Sequence, residues 1–496
     1  MATETEIKLS LSPRAASALA AHPLLAGTLP LRQKLLNTYY DTPDLSLQRE
    51  RVAVRYRKKG GAWLLTVKCA APSVGGLARR SEWEVAGQPG EFDFSHVDDR
   101  KLRQHLDALR PTLSAAFTTH FTRMAWILDT PAGARIELAL DRGWIEAAGR
   151  REPLCEIELE LLDGTVDALF TLARQLQEGL GEKLALHPES ASKAERGYRL
   201  FANTGPQVRR ASPLTLHRDT PSLAAFRAIA LSCVTHLQGN ELGVRESNAP
   251  EFIHQSRVAI RRLRSAIRAW QPVLPESFVG AFDSPWRTLA SALGDTRNWD
   301  VFLTETLPPL GNAFPIHSEI ERLSRHALRQ LASSRKSARA ALQNIAYSRL
   351  LLEFTAAVLA LPDYPEPSLK LFAGHCLDKR AKKVARLAGG VPGPAAENRH
   401  RLRVALKRLR YALEFFEALF PGSRFKSYHQ AASRLQELLG HLNDLVFASQ
   451  FVGVVLPGRQ AERIEIWING RSHLLLQELE HSLNVFLQEK KPWKNR

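Results

Sequence analysis

The 496-residue chain carries 68 Lys and Arg against 51 Asp and Glu, a formal charge of +17, and at roughly 150 residues per domain that length excludes a single small domain. The excess is uneven: residues 1–205 hold 27 basic and 26 acidic groups, net +1, whereas residues 206–496 hold 41 and 25, net +16. This predicts a first half in which both signs meet and a second half that holds a polyanion, whether nucleic acid, polyphosphate or an anionic membrane surface. Cys69, Cys155, Cys233 and Cys376 form no Cys-x-x-Cys pair, which excludes a zinc knuckle or disulfide framework and predicts a reducing, cytoplasmic compartment. No basic n-region opens the chain and no apolar run approaches the ~18 residues of a membrane span, so neither export nor membrane insertion is expected.

In chain order, residues 4–9, 51–57, 63–69, 81–85, 135–140 and 155–161 are short, alternate with period two and are rich in Val, Ile, Leu, Trp or Tyr, which predicts strands. Gly60-Gly61 is a hairpin turn signal. Helical periodicity occupies about 12–21, 99–109 and 165–180. An aperiodic stretch with Asn203, Gly205, Pro206, Ser212 and Pro213 predicts a linker over 203–218, separating a domain at 1–202 from one at 219–496. From Ser222 to Val485 the period is 3.6, interrupted at Pro272–Pro275, Pro308-Pro309, Pro362–Pro367 and Gly389–Pro394. The expected fold class is α+β followed by an all-α bundle.

The second half repeats itself. HQSRVAIRRLRSAIRAW from His254 aligns without a gap to HRLRVALKRLRYALEFF from His400, and LASALGDTRN from Leu289 lies over LQELLGHLND from Leu435 at the same offset. A shared offset predicts a duplicated helical unit, with repeats near 222–345 and 368–490.

In the first half, charges recur at alternate strand positions: Glu4, Glu6 and Lys8; Arg55 and Arg57; Thr66 and Lys68; Arg80, Glu82 and Glu84; Glu156, Glu158 and Glu160. Two arrangements fit. An ordinary half-buried sheet would leave the charged face wet. A sheet of about eight strands closed on itself would put the charges in a lumen wide enough for one small ligand, with helices on the apolar outside. Enclosed charges must be paired or bind ions; carboxylates without His or Cys partners favour Mg²⁺ or Mn²⁺, and Arg and Lys rows favour phosphate oxygens.

ETEIK at Glu4–Lys8 is similar to the Glu-x-Glu-x-Lys signature of the CYTH family, the triphosphate tunnel metalloenzymes. YYDTPDL near Tyr39, VRYRKKGGAWLLTVK from Val54, RSEWE from Arg80, the EIELEL strand and SKAERGY from Ser192 resemble that family in the same order. The resemblance covers about residues 1–202. It implies an N-terminal closed antiparallel eight-stranded tunnel barrel with surrounding helices, in which Glu4, Glu6, Glu156 and Glu158, with Asp141, hold metal. It further implies that Lys8, Arg55, Arg57, Lys68 and Arg123 grip phosphate, that Glu82, Glu84 and Lys193 belong to the substrate-binding set, and that Glu160 pairs a neighbouring charge.

On a helical wheel His254, Arg257, Arg261, Arg264 and Arg268 share one sector, and His400, Arg403, Lys407 and Arg410 share the corresponding one. A single-sign stripe repels itself by a few tenths of a kcal/mol per i, i+4 pair, which points to an anionic ligand. The repeated motif resembles the CHAD domain, an α-helical polyphosphate-binding module, over about 219–490. That resemblance makes His254, Arg257, Arg261, Arg264, His400, Arg403, Lys407 and Arg410 the expected polyphosphate contacts. One departure is Asn298 in the first copy where the second keeps Asp444.

Together these readings predict a metal-dependent inorganic triphosphatase, splitting tripolyphosphate into diphosphate and phosphate, with a polyphosphate-binding helical half. The alternatives are a non-catalytic polyphosphate-binding protein, or a nucleoside or thiamine triphosphatase using Trp63, Trp83 or Tyr40 as an aromatic platform. Nucleic acid is disfavoured because the stripes lack interleaved aromatics. No P-loop, His-Glu-x-x-His or Gly-x-Ser-x-Gly motif is present.

Overall fold

The computed structural model describes residues 2–69, 73–314, 317–362, 368–389 and 396–494; the breaks expected at Pro362–Pro367 and Gly389–Pro394 lie for the most part outside these residues. Two compact units result: Met1–Gln207 together with Leu342–Ala360, and Val208–Ala341 together with Leu361–Arg496.

The first unit is built on β1 (Ala2–Ser10), β2 (Leu31–Asp41), β3 (Val52–Lys59), β4 (Ala62–Cys69), β5 (Leu77–Ala86), β6 (Ser114–Asp129), β7 (Arg135–Ala147), β8 (Arg150–Asp163) and a two-residue β9 (His187–Pro188). They pair in the order β5-β4-β3-β2-β6-β7-β8-β1-β9, and β1 also pairs with β5, so the first eight close into a barrel. The Gly60-Gly61 hairpin is present, with Gly60 at a left-handed φ of 61°. β2 and β6 go beyond the strands expected from alternation.

The pleat sends alternate residues to opposite sides. Outside, Ile7, Leu9, Ile136, Leu138, Leu140, Ile157 and Leu159 pack against Leu169, Ala173 and Leu176 of the helix Val166–Leu180 and Ala15, Ala16 and Leu19 of Pro13–Ala20. A second outer core joins Val52, Val54, Tyr56, Leu65, Val67 and Trp83 to Phe92, Phe94, Val97 and to Leu106 of Arg100–Leu109. The interior is polar: Glu6, Lys8, Asn37, Arg55, Thr66, Thr119, Asp141 and Glu156 are all buried. The closed arrangement, rather than the half-wet sheet, is the one this chain adopts.

The helix Lys193–Phe201 packs against one part of this interior. A capping box fixes its start, with Ser192 Oγ accepting from the Glu195 N–H and the Glu195 carboxylate accepting from the Ser192 N–H. Its Tyr198 is buried with Tyr39, Phe117, Ile145 and Ala147, and a Cβ at Gly197 would come 2.0 Å from the Phe117 ring.

The second unit is mainly helical. Pro250–Trp270 and Ala396–Phe416 have the same length, and the repeat offset separates both their starts and their ends. The equivalent residues Trp270 and Phe416 meet at ring centroids 5.2 Å apart, as expected where two copies of a repeat pack around a pseudo-axis. Arg262 Nε donates to Glu414 Oε1 at 2.6 Å across the same pair of helices. Ser423–Val455 contains a window of mean hydropathy 1.3, long and apolar enough to cross a membrane by length and composition alone. Its Leu445, Ala448, Phe451, Val452 and Val455 are buried against Phe302, Leu307, Leu323, Ile464 and Ile468, so here the run forms bundle core.

Candidate functional site

Strand register gathers the charged residues inside the barrel. Glu6 lies opposite Glu160 and Lys8 opposite Glu158; Glu4 lies opposite Arg80; Lys68 sits between Ala53 and Glu82, and Thr66 between Arg55 and Glu84. Asp141 is flanked by Arg123 and Glu156. Directly opposed residues have Cβ atoms about 4.5–5.5 Å apart, close enough for every such pair to interact.

One cluster is saturated. Asp141, Glu156 and Glu158 offer ligand atoms within 4.8 Å of one another, but Lys193 Nζ reaches all three, at 2.8, 2.6 and 2.8 Å. Arg123 donates to both Asp141 oxygens at 2.8 and 2.7 Å and also to Glu158. Arg196 adds an ion pair to Glu156 at 3.4 Å. Burial alone would raise the Glu158 carboxyl, yet Lys193, Arg123 and Lys8 outweigh it and hold it well below the usual range.

A second cluster is unbalanced. Glu4 pairs with Lys68 at 2.8 Å, which also meets Glu82 at 2.7 Å, and Glu6 pairs with Arg80 at 2.9 Å. Burial, then repulsion from Glu158 and Glu4, nevertheless raises Glu6 against the pull of Arg80 and Lys8. Burial, with Glu4 and Glu137 next, pushes Glu160 up to about 7. Excess negative charge therefore gathers around Glu4, Glu6 and Glu160, at the edge of Glu158. An all-oxygen donor set that repels itself fits a hard divalent cation.

Among these carboxylates, three cationic groups are under-partnered. Lys8 is 1% exposed and, among the described residues, has no carboxylate within ion-pair distance. Arg55 is 6% exposed; its Nη1 donates to the Tyr39 hydroxyl at 3.2 Å and Glu82 lies 3.5 Å from Nη2, but Nε and Nη2 make no hydrogen bond. Arg57 meets Asn37 at 3.1 Å and Glu84 only at 3.8 Å. Buried donors without acceptors are costly, and phosphate oxygens would satisfy them.

Arg196, Asn37, Tyr39 and Glu137 also belong to this network, although sequence patterning assigned them no role, as does Arg80, which patterning placed only among the alternating charges. For Arg196 and Tyr39 the signal lay within the SKAERGY and YYDTPDL motifs themselves. Asp41 of the latter motif serves the backbone, accepting from the N–H groups of Thr42, Leu47 and Gln48 at 2.7–2.9 Å. Trp83 packs in the outer core and Tyr40 and Trp63 lie against it, so none of the three lines the interior.

In the helical unit, Arg257 and Arg261 of the first repeat face Arg403 and Lys407 of the second. Burial, then Arg403, Arg261 and Arg257, pushes Lys407 down to about 6 against the opposing pull of Asp444. Burial, with Arg297, Arg261 and Arg257, pushes His254 down to about 4 despite Glu251. Arg261 Nε and Arg403 Nε are buried without hydrogen-bond partners. The stripe ends differ: Arg264 lies 3.7 Å from Asp283, Arg410 donates to Gln436 at 2.8 Å, and His400 is exposed. Asn443 accepts from Arg403 at 3.3 Å, whereas in the first repeat Asp300 pairs with Arg335 at 2.8 Å.

Comparison with known proteins matches these two architectures separately. The CYTH domain family matches residues 2–198 and the CHAD domain family residues 228–453. An inorganic triphosphatase of Haemophilus influenzae is 34% identical over 202 residues, covering 40% of this chain and 55% of that protein, so the chain spans about half the length of this relative. An uncharacterised Mycobacterium tuberculosis protein is 28% identical over 458 residues, 84% of this chain and 81% of that protein. The crystal structure of the CHAD domain from the plant Ricinus communis superimposes with a TM-score of 0.50 at 28% identity, covering 56% of this chain and 97% of that one. The chain thus carries a CYTH domain followed by a CHAD domain.

Proposed function

We propose that the barrel hydrolyses inorganic triphosphate with the help of Mg²⁺ or Mn²⁺, and that the helical unit binds long-chain polyphosphate in the cytoplasm. The observation that carries this reading is one interior in which under-partnered cations, Lys8 with no carboxylate in ion-pair range and Arg55 with Nε and Nη2 unbonded, lie among carboxylates at Glu4, Glu6 and Glu160 whose burial and mutual repulsion raise Glu6 and Glu160. A short polyphosphate fits the cations. A bound divalent cation would screen its oxygens from the carboxylates and activate water.

Within the barrel, Lys8, Arg55, Arg57 and Lys68 would neutralise the charge that accumulates on the leaving diphosphate. Arg123 would act at the substrate's edge while holding Asp141. Asp141 and Glu156, fully buried against Lys193, would fix the geometry of Glu158 and Arg123, with Lys193 as their counter-charge. Glu82 and Glu84 would orient Lys68, Arg55 and Arg57. The placement of Trp63, Trp83 and Tyr40 on the outer side favours a substrate without a base or ring.

The test is phosphate release by the full chain from tripolyphosphate, ATP and thiamine triphosphate side by side, with Mg²⁺ and with Mn²⁺. Tripolyphosphate is expected to be cleaved with the highest kcat/KM; preference for either organic triphosphate would overturn the substrate assignment.

A further inference from the structure

The helix Ile345–Leu359 lies between the two repeats in sequence, yet it belongs to the barrel's compact unit, while the chain before it and the chain after it belong to the other unit. Its Leu352 is 4% exposed within the outer core that holds Leu9, Ile157, Leu176 and Leu186, with Ala356 and Leu359 packed beside it. Ser348 Oγ is 3.0 Å from His187 Nδ1 on β9, and the Tyr347 ring lies 5.7 Å from the His187 ring. Thr355, fully buried, presses on the turn before β5: a Cβ at Gly75 would stand 2.1 Å from its Oγ1.

Both surfaces under this helix hold the backbone of Lys8. Gly76 O accepts from the Lys8 N–H at 2.9 Å, and the Glu189 N–H donates to Lys8 O at 2.9 Å just past β9. A Cβ at Gly76 would stand 2.7 Å from Lys8 O. Gly75 and Gly76 have φ of 58° and 84°, so the turn needs glycine both for its backbone and for the space between Thr355 and Lys8. Contact therefore runs from Thr355 through Gly75-Gly76 to Lys8, and from Ser348 through His187 to the strand that pairs with Leu9 and Ser10.

We infer that Ile345–Leu359 is a positioning element of the tunnel: Leu352, Ser348 and Thr355 hold the Gly75-Gly76 turn and β9 against β1, fixing the backbone from which Glu6 and Lys8 enter the interior. Its kinetic consequence rests on the triphosphatase reading; its structural consequence does not. Loosening the helix shifts β1 without touching any charged group in the barrel, and displacement on the ångström scale at a catalytic group costs on the order of 100-fold in rate.

The test compares the full-length chain with Leu352→Ala, Ser348→Ala and the volume-conserving Leu352→Met. Amide hydrogen exchange is followed at Lys8, Glu189 and within Pro250–Trp270, alongside kcat and KM for tripolyphosphate well below the melting temperature. In Leu352→Ala the Lys8 and Glu189 amides are expected to lose at least about tenfold protection, with kcat falling by roughly tenfold or more, while Pro250–Trp270 is unchanged and Leu352→Met behaves as wild type. If Leu352→Ala unfolds the whole unit, Ser348→Ala carries the same comparison with a smaller change of the same sign. Unchanged Lys8 and Glu189 protection and unchanged kcat, in a variant whose helix 345–359 has itself lost protection, would overturn the inference, because a helix that only adds stability lowers Tm and nothing else. A wild-type chain inert toward tripolyphosphate would remove the triphosphatase reading, and the exchange comparison would still decide this one.

Discussion

At Lys193 one ammonium faces three carboxylates within 2.8 Å, two of them fully buried. Removing it would leave Asp141 and Glu156 with too little compensating charge, so Lys193→Met is expected to cost about 3–5 kcal/mol in denaturant unfolding at pH 7. Glu6 is the opposite case. Its folded pKa is raised, so its contribution to stability is present at low pH and is lost as pH rises through the folded value. Glu6→Gln is therefore expected to hold its Tm at pH 7 while hydrolysis at limiting Mg²⁺ or Mn²⁺ collapses; a variant that keeps full activity there would remove Glu6 from the metal site. The spacing by two of Glu4, Glu6 and Lys8 was enough to put them on one strand face. What it could not reveal is which carboxylates are neutralised, because Lys193 and Arg123 reach Glu158 from elements 35 residues away on either side.

Among the elements, the helix Lys193–Phe201 delivers Lys193 through its capping box, and Ser192→Ala is expected to lower stability by about 1 kcal/mol, read as a shift in the denaturation midpoint at constant m-value. The paired helices Pro250–Trp270 and Ala396–Phe416 carry a pH signature. With Lys407 near 6 when unliganded, a polyanion would favour its ammonium form, so binding takes up a proton. Polyphosphate affinity is expected to rise as pH falls from 8 and to level off below about 6, and Lys407→Arg should flatten that part of the profile; titrations at pH 6, 7 and 8 check both. Strands such as β1, β3 and β8 were legible because Ile, Val and Leu alternate with charge. β2 was not, since its buried positions are Leu35, Asn37, Tyr39 and Asp41, of which Asn37 and Asp41 read as surface residues. Helix 345–359 was legible as a helix but not as part of the barrel's unit, because periodicity reports a buried face and not the neighbour that buries it.

At the scale of the whole molecule, the proposed function makes the charge imbalance between the halves correspond to two kinds of anion site. The barrel sets cations against carboxylates and suits a short ligand with a metal, whereas the helical unit gathers Arg257, Arg261, Arg403 and Lys407 with little opposing charge and suits a long one. Arg261→Ala with Arg403→Ala is expected to weaken polyphosphate binding and reduce the slope of log affinity against log salt by roughly 0.7 per lost contact, treating polyphosphate as a single-stranded polyanion. An unchanged slope would make the stripe a solvated surface.

The barrel's assignment stands most directly on the products formed from tripolyphosphate. The full chain is incubated with tripolyphosphate after chelation of divalent ions and again after Mg²⁺ or Mn²⁺ is restored, and phosphate and diphosphate are both quantified. One phosphate and one diphosphate per tripolyphosphate, only with metal restored, is the predicted result; no release with either metal, or release that survives chelation, would contradict a metal-dependent triphosphatase.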